Sequence, residues 1–389
     1  MGLSSCQPVH ARHCDGAGGR HDRRAAQGQP GADRARGVGA GLSAALAVWL
    51  WGLAAQADVL RIATYNADLS APGPGLLLHD LRKEDLPPQR AAVVAMIAAL
   101  DADVLVLTGV DYDLRGEALA ALERRLAAAG RPYPYRLALR PNTGVPTGRD
   151  LDRNGQLGEP RDAQGWGRFA GEGGIAVLSR LPIGPDIRDF SGFLWADLPG
   201  NLMPKDDPAR DLQRLHTTGA YEVPIELKGG ESLRLLMFYA SPPVFDGPED
   251  RNGRRNHDEA AFWLRLLEGG LPMPPPDRPF VILGQTSLDP MDGEGRPQAL
   301  RGLLAHPALQ DPQPRGDHGR VDPGQAGDAA LDTALYDGLG GLRVSVILPS
   351  ADLMVRDAAV LWPPDSDPMA ATRAAASRHS PIWVDLALP

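Results

Sequence analysis

Asp150-Leu151-Asp152-Arg153-Asn154-Gly155 sets three oxygen-bearing side chains at alternate positions and closes on a glycine. That D-x-D-x-N-G spacing lets Asp150, Asp152 and Asn154 converge on a hard cation. Gly155 permits the sharp turn, and Gln156 offers its carbonyl. The twelfth position of such a loop ordinarily supplies a bidentate Glu; here it is Arg161, with Glu159 and Asp162 close by. Two readings stand side by side: a weak Ca²⁺ site, or an Asp/Asn/Gly turn closed by its own side-chain hydrogen bonds.

Residues 244–259 form the densest polar run of the chain. Asn256, with Glu259 three residues on, fits a capping box that opens a helix. In a second reading, Arg251, Arg254 and Arg255 make a rim for an anionic or sugar ligand. Trp166, Trp195 and Trp362 could add aromatic contacts to such a rim, although lone Trp residues more often serve packing.

The elements that must position these groups alternate between strand-like and helix-like patterns from residue 59 onwards. Apolar/polar alternation predicts a strand over 60–65, and short apolar runs predict strands at 104–107, 174–178, 221–227, 233–239, 280–283, 342–348 and 381–388. Helical spacing predicts helices over 87–100, 117–129 and 256–267, the last placing Phe262, Trp263 and Leu266 against a core. Long Pro/Gly/Asp-rich connections lie between them, near 139–172, 196–216, 242–255 and 310–332. With no internal repeat and no linker between self-sufficient halves, one domain with decorated loops is expected.

Six segments in this order resemble one known family. They are Thr64-Tyr65-Asn66 on a first strand, 103–109 as a "PDVLxLxE"-like strand, and 173–180 as a strand ending in "LSR". The others are the strand 235–241, the strand running into Gly284-Gln285-Thr286-Ser287-Leu288-Asp289, and Ser377-Arg378-His379. From about residue 59 to the C-terminus the chain resembles the DNase-I-like endonuclease/exonuclease/phosphatase family. The resemblance implies an α/β fold: a four-layer α/β/β/α sandwich of two mixed, mostly antiparallel sheets flanked by helices.

It also implies a mechanism that needs several groups together. An Asn and a Glu help hold Mg²⁺ or Mn²⁺, an Asp serves as general base beside a phosphate-orienting Asn, and two His residues offset transition-state charge. Carried over position by position, Asn66 and His379 are retained. The metal Glu is Gly109, the first His is Tyr239, and the Asp and Asn of the G-D-x-N motif are Gln285 and Ser287. An Asp expected on the strand before Leu348-Pro349-Ser350 is Ser345, and the terminal Asp is Arg378, a charge reversal. The expectation is therefore an exported scaffold without catalytic activity that binds a small ligand or a protein. The alternative is an active divalent-metal phosphoesterase on a small phosphate ester, its acids displaced to Asp111, Asp113 or Asp289.

Composition narrows the partners. The formal charge of -9 over 389 residues, with no basic cluster to offset it, argues against nucleic acid, whose binding depends on neutralising phosphates with Lys and Arg. The 45 Gly and 37 Pro indicate many turns between short elements. Residues 1–36 are Arg-, Gly- and Ala-rich without apolar periodicity, as in a disordered or mis-assigned extension. Residues 37–57 have the layout of a signal peptide: Arg34 and Arg36, a short apolar run, then Ala55-Gln56-Ala57. An uncleaved N-terminal anchor is the other reading of that run. Cleavage would give a periplasmic or extracellular domain over 58–389 with no stable membrane span, and would remove both Cys6 and Cys14.

Overall fold

Burial on both faces is what makes the central strands continuously apolar. In Phe280-Val281-Ile282-Leu283, Phe280 and Ile282 join one core cluster while Val281 and Leu283 join another on the opposite face. Strand side chains alternate between faces, so only a strand packed on both sides can be apolar throughout. The computed structural model describes residues 59–388; the extension 1–36 and the leader 37–57 lie outside the described residues.

The strands in chain order are β1 (Val59–Leu69), β2 (Val104–Val110), β3 (Tyr135–Leu139), β4 (Gly174–Ser179), β5 (Arg188–Asp189), β6 (Gly219–Glu226) and β7 (Ser232–Tyr239). They continue with β8 (Phe280–Gln285), β9 (Ala334–Tyr336), β10 (Gly340–Leu342), β11 (Ser345–Pro349), β12 (Met354–Val360) and β13 (Ile382–Ala387). The helices are α1 (Leu76–Arg82), α2 (Pro88–Leu100), α3 (Glu117–Ala128), α4 (Arg251–Leu267), α5 (Gln298–Leu304) and α6 (Met369–Ala376). A six-stranded sheet has the order β12-β13-β1-β2-β4-β3, and a five-stranded sheet the order β11-β8-β7-β6-β5. Each is mixed, with β1–β2 and β7–β8 as the parallel pairs.

Ile62, Val104, Val106 and Val384 of the first sheet meet Val223, Leu235, Val281 and Ile347 of the second in a shared inner core. On the outer face of the first sheet, Leu105 and Leu107 pack with Leu77 of α1, Ile97 of α2, Leu122 of α3 and Ala376 of α6. On the outer face of the second, Leu236 and Ile282 pack with Phe262 and Trp263 of α4 and Leu300 of α5. This is the α/β/β/α sandwich.

Local chemistry sets the helix starts. Pro88 opens α2, where its missing N–H costs nothing. The carboxylate of Asp113 accepts from the N–H groups of Glu117 and Ala118 at 2.9 and 2.8 Å, satisfying the first turn of α3.

Two expectations need correcting. Helix α4 begins at Arg251, not Asn256, because its first turns are polar yet buried and show no apolar period. Asn256 is therefore no cap: its Nδ2 donates to the carbonyls of Ser241 and Thr286, at 2.6 and 2.7 Å. The strand expected over 342–348 is broken after Leu342. There the Arg343 N–H turns to Asp289 Oδ2 and its guanidinium forks onto Asp311, so pairing resumes only at Ser345.

Candidate functional site

The parallel pairs place the ends of β1, β2, β7 and β8 along one edge of the sandwich. The register sets Asn66 beside Thr108 and Tyr239 beside Gln285, with Gln285 also opposite Ser345. Next to Asn66 the ladder is broken. Both edges of β2 shift register around Gly109, which has φ +70°. The Oδ1 of Asn66 lies 2.5 Å from the point a Cβ on Gly109 would occupy. A side chain at 109 would thus need a left-handed backbone and displacement of the Asn66 amide. The position to which the resemblance assigns the metal Glu is a bulge closed by a left-handed glycine.

The remaining groups bond to one another. Asn66 Nδ2 reaches the Tyr239 hydroxyl at 3.5 Å, and burial raises the phenol's pKa, keeping it protonated. Ser345 Oγ donates to Gln285 Oε1 at 2.8 Å. Ser287, in a left-handed conformation at φ 53°, donates its hydroxyl to the Ala240 carbonyl at 2.9 Å. His379 is buried beneath the Tyr336 ring, which meets it edge-on with centroids 6.0 Å apart. Burial pulls the imidazole down to about 4, with the charge of Asp68 working against it, so His379 is neutral near pH 7. Arg378 is exposed, 4.0 Å from Asp68 and over the face of Tyr336.

The three acids considered as displaced ligands all serve the backbone. Asp111 accepts from the N–H groups of Ala71 and Gly173 at 2.8 and 3.0 Å, and burial pushes it up to about 6. Asp113 caps α3. Asp289 accepts from Met291, Asp292 and Arg343 N–H at 2.7, 2.8 and 2.5 Å, in keeping with a turn former. Around Asn66 the structure offers an amide, a phenol, a second amide, a hydroxyl, a neutral imidazole and one carboxylate, Asp68, which accepts from Ser377 Oγ at 2.9 Å and lies 4.0 Å from Arg378. A divalent metal needs converging oxygen ligands with carboxylates among them. The donor set at this centre does not fit Mg²⁺ or Mn²⁺.

Carboxylates do converge elsewhere. Among the described residues one group of acidic side chains comes together, Asp150, Asp152 and Asp162, with one oxygen from each inside 4.8 Å. Asp162 is buried and also accepts from the Leu151 N–H at 2.8 Å. Asn154 donates to Glu159 Oε2 at 2.5 Å and to Asp152 Oδ2 at 3.3 Å, and accepts from the Gln156 N–H at 2.8 Å. Asp150 accepts from the N–H groups of Asn154 and Gly155 at 3.1 and 2.8 Å, so the turn is also closed by its own side chains. The exposed Gln156 thus enters as a backbone donor, and the third carboxylate is Asp162, thirteenth in the loop. A 3₁₀ turn, Pro160–Asp162, brings it back, and no spacing rule anticipates that turn.

The arginine rim is corrected as well. Arg255 is buried and donates to the carbonyls of Leu215, Gln164 and Arg214. Arg251 pairs with Asp207 at 2.8 Å, and Arg254 reaches the carbonyls of Glu249 and Leu202. Trp195 is buried with its Nε1 on Asp258, and Trp362 is buried between the His318 ring and the Arg373 guanidinium, while Trp166 is exposed. Glu259 is no capping-box partner: it is buried and accepts from Thr217 N–H, Ser241 N–H and Ser241 Oγ at 2.6, 2.7 and 2.9 Å, a role that sequence reasoning missed. The signal was present: Glu259 precedes Phe262, Trp263 and Leu266 at helical spacing, which puts it on the apolar stripe.

The profile of the endonuclease/exonuclease/phosphatase family matches residues 63–379. The chain belongs to this family. A solved family member from Beutenbergia cavernae shares 18% identity at a TM-score of 0.51, covering 85% of this chain and 72% of that one. Also similar are a mannosyl-6-phosphatase from Bacteroides thetaiotaomicron (15% identity, TM-score 0.46, 85% and 100% covered) and a sphingomyelinase C from Streptomyces griseocarneus (16%, 0.45, 84% and 99%). Among curated proteins, none matches the chain. At these identities the first structure supports the fold, and the family member's chemistry has to be read from its own residues.

Proposed function

We propose that this family member is an exported binding or scaffold protein that has lost phosphoester hydrolysis. The observation that carries the reading is the bulge at Gly109. The family's metal-holding carboxylate is replaced by a left-handed glycine whose side-chain space is taken by Asn66 Oδ1. Three further observations support it. The general-base position holds Gln285, hydrogen-bonded to Ser345. His379 is neutral, Asp111, Asp113 and Asp289 are bound to backbone N–H groups, and Asp68 accepts from Ser377 Oγ at 2.9 Å beside Arg378. Export rests on the layout of residues 37–57, and a mature N-terminus far from Asp58 by mass spectrometry refutes it. Ligand binding falls to the cleft and its long loops, beside which Tyr239 borders a cavity of about 550 Å³.

The loop acids Asp150, Asp152 and Asp162 would hold Ca²⁺, whose flexible oxygen coordination suits three carboxylates with backbone carbonyls and water. In this reading the ion supports a loop and performs no chemistry.

The test of inactivity is direct. The purified protein is assayed on bis-p-nitrophenyl phosphate and p-nitrophenyl phosphate with Mg²⁺, Mn²⁺ and Ca²⁺. No turnover above buffer is expected. Turnover that disappears in Asn66→Ala or Asp289→Asn establishes instead the active phosphoesterase.

A further inference from the structure

The cavity beside Tyr239 is the middle of three. It shares Asp152, Arg161 and Trp166 with a groove of about 360 Å³ on one side. On the other it shares Phe245, Asp246 and Gly247 with a groove of about 570 Å³. The three adjoin through these shared walls, from the acidic loop to the turn before α5, and together make up a trough.

Two features of its wall stand out. First, the mouth carries aromatic rings that the fold leaves in solvent: Trp166 is 55% and Phe245 78% exposed. Second, its charge is unbalanced. Arg251 and Arg296 are taken by Asp207 and Asp250, at 2.8 and 2.6 Å, and Arg255 by three carbonyls. Glu172 is likewise taken by Arg168. Apart from Asp152, which belongs to the acidic loop, Glu159, Asp246, Glu249 and Glu294 have no ion pair among the described residues, and the one unpaired guanidinium is that of Arg161.

We infer that this trough binds an extended organic polycation of the linear polyamine type. Ammonium groups are attracted to the faces of aromatic rings and to carboxylates together, and both line the trough over its length. The alkyl spacers would lie along its apolar stretches. A phosphate ester would meet the same carboxylates with like charge, so the anionic ligands that the family fold suggests are disfavoured here. The inference rests on the binding reading above and gives it a ligand class.

Spermidine is titrated into the full-length mature protein by calorimetry, with 1,8-octanediol as a neutral chain of similar length and glucose 6-phosphate as an anion. Saturable binding of spermidine alone is expected, weakening as salt is raised. It should weaken about tenfold or more in Trp166→Ala and in the double variant Asp246→Asn/Glu249→Gln, roughly 1.4 kcal/mol per factor of ten. Melting curves check that these exposed substitutions leave the fold intact. No saturable binding at millimolar spermidine overturns the inference, as does equal binding of either control. So does loss of binding in Asp162→Asn with Trp166→Ala unaffected, which places the cation in the acidic loop. Turnover in the phosphoesterase assay would overturn the inactive reading and leave this result untouched.

Discussion

Ser345 Oγ donates to Gln285 Oε1 across paired strands at 2.8 Å, and both side chains are buried. The resemblance implies carboxylates at these two positions, the one at 285 as general base. Here a neutral donor and a neutral acceptor satisfy one another without an ion. Reinstating one acid should therefore cost stability and restore nothing. Gln285→Asp shortens the side chain, strands the Ser345 hydroxyl and buries a carboxylate with no counter-charge. The expected loss is about 1–3 kcal/mol in urea unfolding with no gain of phosphoesterase turnover. A stable Gln285→Asp variant that hydrolyses bis-p-nitrophenyl phosphate would show that the centre is one substitution from activity.

Gly109→Glu tests the bulge in the same way. The left-handed backbone costs about 1–2 kcal/mol for a residue with a Cβ, and the Asn66 amide must also move. A lower melting temperature that Mg²⁺ and Mn²⁺ do not restore is expected. Recovery of stability on adding either ion would mean that the site can still close around a metal.

Glu259→Gln should be among the most damaging single-atom changes. The carboxylate accepts three hydrogen bonds within a fully buried network beside Arg255, joining α4 to the segment after β7 and to Thr217. A carboxamide turns one acceptor into a donor facing an N–H group. The loss expected is about 3 kcal/mol, and an unfolding midpoint equal to the parent's would show the network to be dispensable.

For the acidic loop, calcium should raise the melting temperature of the parent more than that of Asp150→Ala or Asp162→Asn. A ligand that binds the folded state alone adds about 2.7 kcal/mol at a hundredfold excess over Kd. An equal rise in all three proteins means that the loop is not the site.

Burial pushes Asp332 up to about 7; Gln325 hydrogen-bonds its carboxylate, and Asp289, Asp322 and Asp292 add like charge. Its folded-state pKa lies above the ordinary carboxylate value of about 3.9, so the folded protein holds a proton that the unfolded chain has released. Stability from this group is present at low pH and lost as pH rises from about 4 through 7. Asp332→Asn remains neutral throughout, and its unfolding free energy should fall less steeply over that range. A slope as steep as the parent's removes Asp332 as the cause.

The apolar strands, the order of segments and the residue types at the strand ends were all legible in the chain, because they are local. A buried strand must be apolar on both faces, and the residue identity at a strand end can be read directly. Asn66, Gly109, Gln285 and Ser345 could be named from sequence alone. What each touches could not, since their partners lie on other strands and are set by register. The Asn66 amide entering the space over Gly109 depends on a bulge that leaves no residue signature beyond the glycine itself. The same limit explains the misread arginines. In sequence Arg255 reads as part of a ligand rim and Glu259 as a capping-box partner, but folding places both inside, where backbone carbonyls and N–H groups replace water. Composition and pattern thus specify which surfaces must be buried. Only the packed structure specifies which polar groups are buried with them, because a polar group's partner is chosen by three-dimensional proximity and not by spacing along the chain.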